Sequence, residues 1–241
     1  MGLNYYSLRF ISYKMRNDTK IICVIQARMG STRLPGKSLK KLIGIPMLEL
    51  IINNVKESRY ISRYIVATSN SIKDDEIYNL CKKIEIDCYR GSEIDVLSRF
   101  KEISKKYSAD LIIRLTGDNP FVEKCLIDDI LDNYFKSFVG YDYVNNIDNS
   151  GYPYGLFIEI IGRVALDKLK NNIDTLDREH VTRYFRNNKD EFKTGVIKTD
   201  KKFKYTYLTV DNKKDFYNAE NIMKEIINRK INYTYSDLIK E

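Results

Sequence analysis

The sequence predicts an α/β protein with a mainly parallel, doubly wound sheet and a mixed C-terminal part. Short apolar runs rich in β-branched residues alternate with segments whose apolar residues recur every three or four positions. The connections between these segments are short, and such alternation is typical of a parallel sheet with helices on both faces. The 241 residues include 43% hydrophobic residues, enough for a core that needs no disulfide or metal.

The first half of the chain contains four predicted strands, each followed by a predicted helix. The strands cover residues 21–25, 64–68, 87–90 and 110–115. The first is apolar throughout, which is typical of a strand buried on both faces. One helix opens at Asp74 with three acidic residues, which suit the positive end of the helix dipole. Apolar residues at helical spacing mark the other three: Leu48, Ile51, Ile52 and Val55; Val96, Leu97, Phe100 and Ile103; Ile127, Ile130, Leu131 and Tyr134.

The second half of the chain is mixed. The predicted strands there are residues 143–147, 156–161, 194–199 and 205–210, with a helix near residues 178–186 and a closing helix over residues 216–227. No Pro-, Gly- or Ser-rich linker divides the chain, so we expect residues 20–241 to form a single domain. Residues 1–19 carry no motif and are expected to be a loosely ordered N-terminal extension.

Composition limits the partners and the compartment. The net charge of +8 favours a polyanionic ligand, but the basic residues are interleaved along the chain, which predicts a solvated basic surface and no nucleic-acid face. Four scattered cysteines without a CxxC pair, beside a single histidine, argue against zinc. There is no apolar run of 18 residues and no signal-peptide core, so we expect a cytoplasmic protein with no membrane contact.

The most informative segment is the loop of residues 26–37, called the phosphate loop below. It directly follows the first buried strand and carries Arg28, Arg33 and Lys37, with glycines that allow close backbone approach. Such a loop can direct backbone N–H groups at phosphate oxygens while its cations neutralise them. The spacing matches neither GxxxxGK[ST] nor GxGxxG. The alternative interpretation is a basic surface turn.

The chain resembles a known family through this loop and through further motifs in order. The run Ile-Gln-Ala-Arg-Met-Gly-Ser-Thr-Arg-Leu-Pro-Gly-Lys, residues 25–37, resembles the signature of the cytidylyltransferases that make CMP-activated acidic sugars, in the SpsF-like spore-coat-polysaccharide branch. Further matches are Val-Ala-Thr-Ser (66–69), Arg-Gly-Ser-Glu (90–93), Arg-Leu-Thr-Gly-Asp-Asn-Pro (114–120), Arg-Glu-His-Val-Thr (178–182) and Leu-Thr-Val-Asp (208–211). The resemblance implies a GT-A-like nucleotidyltransferase fold, CTP as donor and Mg²⁺ as cofactor.

The resemblance and the strand ends together predict the site residues. The nucleotide-binding set is Ala27, Arg28, Met29, Gly30, Ser31, Arg33, Lys37, Thr68, Ser69, Arg90, Gly91, Ser92, Thr116 and Gly117. Catalysis is assigned to Arg28, Arg33, Lys37 and Asp118. Two aspartates that end predicted strands, Asp118 and Asp211, are assigned to the metal, since Mg²⁺ takes one or two carboxylates plus phosphate and water. Asp118 could instead be a turn or cap residue, and Asp211 the N-cap of the last helix.

The acceptor side is less defined by the sequence. Glu159, Glu179 and His180 are predicted to bind the acceptor, although His180 could also be a buried structural histidine or a catalytic base. Relatives commonly have Asp-Gly-Leu-Asp-Val-Glu where this chain has Tyr-Gly-Leu-Phe-Ile-Glu at residues 154–159. If the two replaced aspartates contact the acceptor in the relatives, we expect this chain to use a different, more apolar acceptor. The implied partners are CTP, a small acceptor and, since relatives are often homodimers, a second copy of the chain.

Other activities remain open from the sequence. The fold plan is shared by glycosyltransferases that consume nucleotide sugars, but those usually carry Asp-x-Asp at the metal strand, where this chain has Asp-Asn-Pro at residues 118–120. A nucleotidyltransferase using another nucleotide or a phosphorylated acceptor is a second alternative. A non-catalytic nucleotide- or nucleic-acid-binding protein is a third.

Overall fold

A seven-stranded sheet organises the chain. The computed structural model describes residues 18–169, 173–229 and 233–240. The strands are β1 (Ile21–Gln26), a two-residue pair β2 (Lys41–Leu42) and β3 (Ile45–Pro46), β4 (Ile61–Ser69), β5 (Asp87–Gly91), β6 (Leu111–Thr116), β7 (Tyr143–Asn145), β8 (Glu159–Gly162) and β9 (Thr194–Val196). The large sheet has the order β5-β4-β1-β6-β8-β7-β9, and β2 pairs with β3 separately.

The first four strands of the sheet are parallel, as the alternating pattern predicts. β1 lies between β4 and β6, with Gln26 opposite both Ala67 and Thr116. β8 is antiparallel to both β6 and β7, which makes the C-terminal part mixed. The chain therefore leaves β1 toward one side of the sheet and later returns to its other side at β6. Ligands on doubly wound sheets bind at such a reversal, beyond the carboxyl ends of the strands.

Helices cover both faces of the sheet. They are α1 (Met47–Val55), α2 (Asp75–Lys83), α3 (Val96–Tyr107), α4 (Lys124–Ser137), α5 (Arg163–Lys168), α6 (Thr175–Glu179), α7 (Arg183–Asn187) and α8 (Lys213–Arg229). The buried residues of α1, α2, α4 and α8 share one apolar cluster with one face of the strands. Those of α3, α5 and α7 share a second cluster with the opposite face. Because β1 contributes to both clusters, its run of apolar residues is explained by burial on each side.

The mixed second half departs from the predicted elements. Residues 205–210 do not form a strand; they are extended and make one isolated bridge, between Tyr207 and Tyr154. The reason is that this segment pairs with loops at two separated points: Leu208 N–H donates to Tyr154, and Val210 N–H donates to the carbonyl of Asp118. The strand predicted at residues 156–161 begins only at Glu159.

The predicted helix of residues 178–186 is two short helices, α6 and α7. The interruption lies at His180, whose backbone leaves the helical region at φ −100° and ψ 68°. It directs the next residue, Val181, into the core, where the side chain is fully buried, while His180 stays exposed. The interruption of the helix therefore places Val181 in the second apolar cluster and leaves His180 in the wall of the cavity described below.

Three further predictions concern the N-terminal extension, membrane-spanning helices and the cysteines. Most of the predicted N-terminal extension, residues 1–17, lies outside the described residues. Within the described part of the chain, no helix combines the length and the apolar character needed to cross a bilayer. All four cysteines are free thiols, Cys23 and Cys81 buried and the other two partly buried.

Candidate active site

A cavity of about 390 Å³ opens at the carboxyl ends of β1 and β6, where the strand order reverses. Its wall contains most of the predicted site residues and four that were not predicted. The lining is Gln26, Ala27, Arg28, Gly30, Ser31, Thr32, Arg33, Lys37, Ser38, Arg114, Thr116, Gly117, Asp118, His180 and Asp211. The two strand ends meet closely, since Gly117 N–H donates to the carbonyl of Gln26 at 2.8 Å. A Cβ on Gly117 would lie 3.1 Å from that carbonyl oxygen, which explains the glycine.

Lys37 joins the two predicted metal ligands. Its ammonium donates to Asp118 Oδ2 at 2.9 Å and to Asp211 Oδ1 at 3.1 Å, and also to the Val210 carbonyl at 3.0 Å. The Lys37 side chain is only 13% exposed, so these interactions are partly shielded from water. Three residues far apart in sequence thus meet at one point. The predicted convergence of the aspartates is present in the structure.

Two hydrogen bonds fix the segments that carry Asp118 and Asp211 relative to each other, and a third orients the Asn119 side chain between them. Val210 N–H donates to the Asp118 carbonyl at 2.8 Å, which ties the segment before Asp211 to the end of β6. The Asn119 side chain accepts from Thr209 Oγ1 at 2.9 Å and donates to Thr116 Oγ1 at 2.9 Å. The loop after β6 and the extended segment before α8 are therefore held together by backbone and side chain.

Asp211 is not the cap of the last helix. Asn212 Oδ1 accepts from Asp215 N–H at 3.1 Å, and Asp215 Oδ2 accepts from the N–H groups of Asp211 and Asn212. This reciprocal pattern is a capping box centred on Asn212. Burial alone would raise the pKa of Asp211, but its hydrogen bond from Lys37 and the charges of Lys37 and Arg33 outweigh burial and lower it. The carboxylate is free of a capping role and faces the cavity.

The cations of the phosphate loop are held by weak ion pairs. Arg33 lies 3.1 Å from Asp211 and is 66% exposed, while Arg28 lies 3.2 Å from Glu179 and is 44% exposed. Exposed pairs of this kind contribute about 0–1 kcal/mol. Gly36, at φ +67°, donates to the Met29 carbonyl and closes the loop on itself. The predicted acceptor residue Glu179 does not line the cavity itself, but it is ion-paired with Arg28, which does.

Thr68 and Ser69 do not face the cavity as predicted. Both are fully buried, and their hydroxyls donate to Asp74 Oδ2 at 2.9 and 2.5 Å. Ser69 N–H donates to the same oxygen, and Met29 N–H of the phosphate loop donates to Asp74 Oδ1 at 2.8 Å. Burial would raise the pKa of Asp74, but these hydrogen bonds outweigh it and lower it. Asp74, which the sequence indicated only as a helix-opening acid, anchors the loop.

The end of β5 and the residue after it also make structural contacts. Arg90 donates to the carbonyls of Ser69 and Ser71 and lies 2.7 Å from Asp75. Gly91 accepts through its carbonyl from Asn70 N–H, and a Cβ there would meet the buried Arg99 side chain. The Ser92 hydroxyl accepts from Asp95 N–H at 3.0 Å. Arg90, Gly91 and Ser92 lie outside the cavity wall, and nucleotide binding by them stays a prediction.

Glu159 lies beneath the cavity and not in its wall. It is 4% exposed, accepts from Tyr143 Oη at 2.6 Å and pairs with the Arg114 guanidinium. Burial would raise the pKa of Glu159, but the Arg114 charge and the hydrogen bonds it accepts lower it. Arg114 also donates to Gln26 Oε1 at 3.0 Å. Because its carboxylate is already paired, Glu159 is placed to orient Arg114, and direct acceptor contact is not supported by this geometry.

One predicted residue, His180, and one of the four missed residues, Arg114, lie together in the wall. His180 lines the cavity and is exposed, so it is not a buried structural histidine. Arg114 begins the motif of residues 114–120 but is absent from the predicted site residues. Its signal was an arginine inside an otherwise apolar strand, a position that burial rarely allows without a partner.

The chain matches known proteins along most of its length. The sequence model described as cytidylyltransferase matches residues 22–236. The spore coat polysaccharide biosynthesis protein SpsF of Bacillus subtilis is 34% identical over 205 residues, 81% of this chain and 83% of that protein. The 3-deoxy-manno-octulosonate cytidylyltransferase of Geobacter metallireducens is 30% identical over 112 residues, 46% of this chain and 43% of the relative. A cytidylyltransferase structure from Leptospira borgpetersenii superposes with a TM-score of 0.81 at 28% identity, covering 91% of this chain and 92% of the other.

A doubly wound sheet with a cationic loop and two aspartates at the strand reversal defines a nucleotidyltransferase. Residues 22–236 match the family model, and the relatives and the superposed structure agree with it. The chain belongs to the cytidylyltransferase family. The predicted fold, the family and the enzyme class are confirmed, and the roles of individual site residues stay predictions.

Proposed function

We propose that this cytidylyltransferase transfers CMP from CTP to a sugar acid, with release of pyrophosphate and with Mg²⁺ as cofactor, for synthesis of a surface polysaccharide. The observation that carries the proposal is the contact of one ammonium, that of Lys37, with both Asp118 and Asp211 in the wall of the cavity. The named functions of SpsF and of the 3-deoxy-manno-octulosonate enzyme support the polysaccharide and the acidic acceptor.

The donor triphosphate is assigned to the phosphate loop. Arg28, Arg33 and Lys37 line the cavity together with Gly30 and Ser31 of the same loop. The acceptor hydroxyl oxygen attacks the α-phosphorus in line and loses its proton to solvent, and the bond from that phosphorus to the bridging oxygen breaks with release of pyrophosphate. Fixed cations stabilise the negative charge that develops on phosphate oxygens, and positioning lowers the entropic barrier.

The two aspartates fit a divalent cation. Their oxygens approach one point closely enough to share a single ammonium, and Mg²⁺ uses one or two carboxylates, with phosphate and water completing its shell. Among the residues that the structure describes, no larger group of His, Cys, Asp or Glu could hold a metal. When bound, Mg²⁺ would neutralise phosphate charge and orient the triphosphate. Lys37 would then turn from the carboxylates toward the phosphates.

The acceptor is assigned to the side of the cavity formed by Arg114, His180 and Glu179. Arg114 is held by Gln26 and Glu159, and His180 stands where α6 ends. A guanidinium and an imidazole can both bind a carboxylate, which a sugar acid carries. We further propose a homodimer and a cytoplasmic site of action, where free cysteines persist.

The test measures pyrophosphate release with each of the four ribonucleoside triphosphates and a panel of sugar acids, with Mg²⁺ or with excess EDTA. We expect pyrophosphate with CTP, a sugar acid and Mg²⁺, and none with EDTA. Release of a nucleoside diphosphate from a nucleotide sugar would instead indicate a glycosyltransferase. Turnover with another triphosphate at equal kcat/KM would contradict the assignment of CTP.

A further inference from the structure

Three aromatic side chains form a cluster on the surface beside the predicted metal pair. They are Tyr154, Phe157 and Tyr207, called the aromatic cluster below. The rings of Tyr154 and Tyr207 are stacked with centroids 5.9 Å apart, and Phe157 meets Tyr154 edge-on at 5.1 Å. Tyr154 is 61% exposed and Tyr207 is 46% exposed. The protein therefore presents ordered aromatic surface to solvent at this point.

The aromatic cluster is continuous with the active site. Tyr207 Oη donates to Asp211 Oδ2 at 3.2 Å, while the other oxygen of Asp211 faces Lys37 and Arg33. A molecule lying on the rings would be in contact with the carboxylate assigned to the metal. Because the reacting hydroxyl must reach the α-phosphorus beside that metal, an acceptor bound on the rings would lie next to the reacting centre.

The cluster is also rigid. Tyr154 N–H donates to the Thr206 carbonyl at 3.1 Å, and Leu208 N–H donates to the Tyr154 carbonyl at 2.6 Å. Gly155 follows at φ +101°, where a Cβ would come within 2.5 Å of the Leu208 backbone. The two tyrosines are thus fixed by backbone contacts that do not depend on their side chains. A preformed surface of this kind loses little entropy when a ligand binds.

We infer that the aromatic cluster is a binding surface for the acceptor, and that it selects a sugar acid with one apolar face. Exposed aromatic rings offer an apolar surface whose faces carry partial negative charge, and C–H groups carry the complementary polarity. A sugar face made of C–H, deoxy methylene or N-acyl methyl groups fits these rings, whereas a face of hydroxyl groups would lose hydration there. This inference rests on the proposed cytidylyltransferase reaction.

The test compares three variants in steady-state assays with CTP and Mg²⁺, using 3-deoxy-manno-octulosonate and N-acetylneuraminate as acceptors. Tyr154→Ala removes the central ring, Tyr154→Phe keeps it, and Tyr217→Ala removes an exposed tyrosine on α8 as a matched control. We expect Tyr154→Ala to raise the acceptor KM by about three- to tenfold, the worth of one aromatic contact. The CTP KM and the melting temperature should stay close to those of the parent in all three.

Each other outcome overturns the inference. An unchanged acceptor KM in Tyr154→Ala, or equal increases in the acceptor and CTP KM values, would show that the cluster does not bind the acceptor. Loss of a dimer in size-exclusion chromatography, with an unchanged acceptor KM, would assign the cluster to contact between copies. Absence of turnover by the parent with every sugar acid would refute the proposed function, and this inference with it.

Discussion

Asp74 lies beneath the phosphate loop, and its replacement by asparagine tests whether the loop is held in place by one buried carboxylate. Asp74 is 2% exposed, and its two oxygens accept four hydrogen bonds. One comes from the loop, from Met29 N–H, and three come from Thr68 and Ser69. Asparagine has nearly the same shape but offers one oxygen, so its NH₂ group must face either Met29 N–H or the three donors on the other side.

The expected loss follows from these contacts. Hydrogen bonds to a charged acceptor contribute about 1.5–3 kcal/mol, and a buried donor left unpaired costs about 1–3 kcal/mol. If the amide turns its NH₂ group toward Met29, one hydrogen bond is lost and the unfolding free energy should fall by about 2–4 kcal/mol. The loop would then lack its anchor. We expect kcat/KM for CTP to fall by about tenfold or more, since about 1.4 kcal/mol of lost positioning has that effect.

The assay pairs urea unfolding with CTP kinetics, and Asp75→Asn is the matched control. Asp75 is the next residue, carries the same charge, and makes an exposed ion pair with Arg90. Its replacement should change stability by less than about 1 kcal/mol and leave CTP kinetics near the parent values. If Asp74→Asn behaves like Asp75→Asn in both measurements, the anchoring role is wrong.

The remaining predictions concern pH, the metal ligands, the loop and one glycine. Hydrogen bonds lower the pKa of Asp74 in the folded protein below its usual 3.8. The carboxylate therefore stabilises the fold fully above that pH, and this stabilisation is lost as the pH falls through the folded pKa. The difference in unfolding free energy between the parent and Asp74→Asn should shrink below about pH 4, and a constant difference would contradict this. Asp118→Asn and Asp211→Asn should each lower kcat about 10²–10³-fold and raise the Mg²⁺ needed for half-maximal rate; full activity of Asp211→Asn at low Mg²⁺ would remove Asp211 from the metal site. Lys37→Ala should raise the CTP KM with little change in melting temperature, and unchanged kinetics would remove Lys37 from the phosphate site. Gly155→Ala should lower the unfolding free energy by about 1–3 kcal/mol, because of strain at positive φ and contact with the Leu208 backbone, as urea unfolding would show.

The parallel half of the sheet could be predicted because a strand that is buried on both faces has a continuous apolar sequence. The apolar run of β1 contributes to the clusters on both sides of the sheet, which is the burial that such a run predicts. The segment of residues 205–210 shows the limit of the same reasoning. Its pattern alternates as a strand would, with Leu208 and Val210 buried, but its partners are two loops and no ladder forms. Periodicity reports which side chains are buried and not which backbone they pair with.

The position of the cavity wall could be predicted where a charged residue lies just after a strand end, as Asp118 does after β6. It could not be predicted where a polar side chain forms a hydrogen bond or ion pair with another polar side chain of the protein. Thr68 and Ser69 are the last residues of β4, where a base-binding pair is expected, yet both hydroxyls donate to Asp74. The carboxylate of Glu159 is likewise already occupied by its ion pair with Arg114. A sequence shows that a group is able to bind a ligand, whereas only the structure shows that its hydrogen-bonding capacity is already used.

The ion pairs in the cavity wall are best understood as partners that are exchanged when substrate binds. Arg28 pairs with Glu179, and Arg33 and Lys37 pair with Asp211, so each cation has a carboxylate neighbour. The two arginine pairs are exposed and therefore weak, about 0–1 kcal/mol each, and little is lost when a phosphate replaces the carboxylate. In the proposed reaction, the same exchange frees the carboxylates for a divalent cation. Mutual neutralisation brings the cations and aspartates together, and we expect it to make binding of the triphosphate and of Mg²⁺ mutually favourable, because each would release the groups that the other needs.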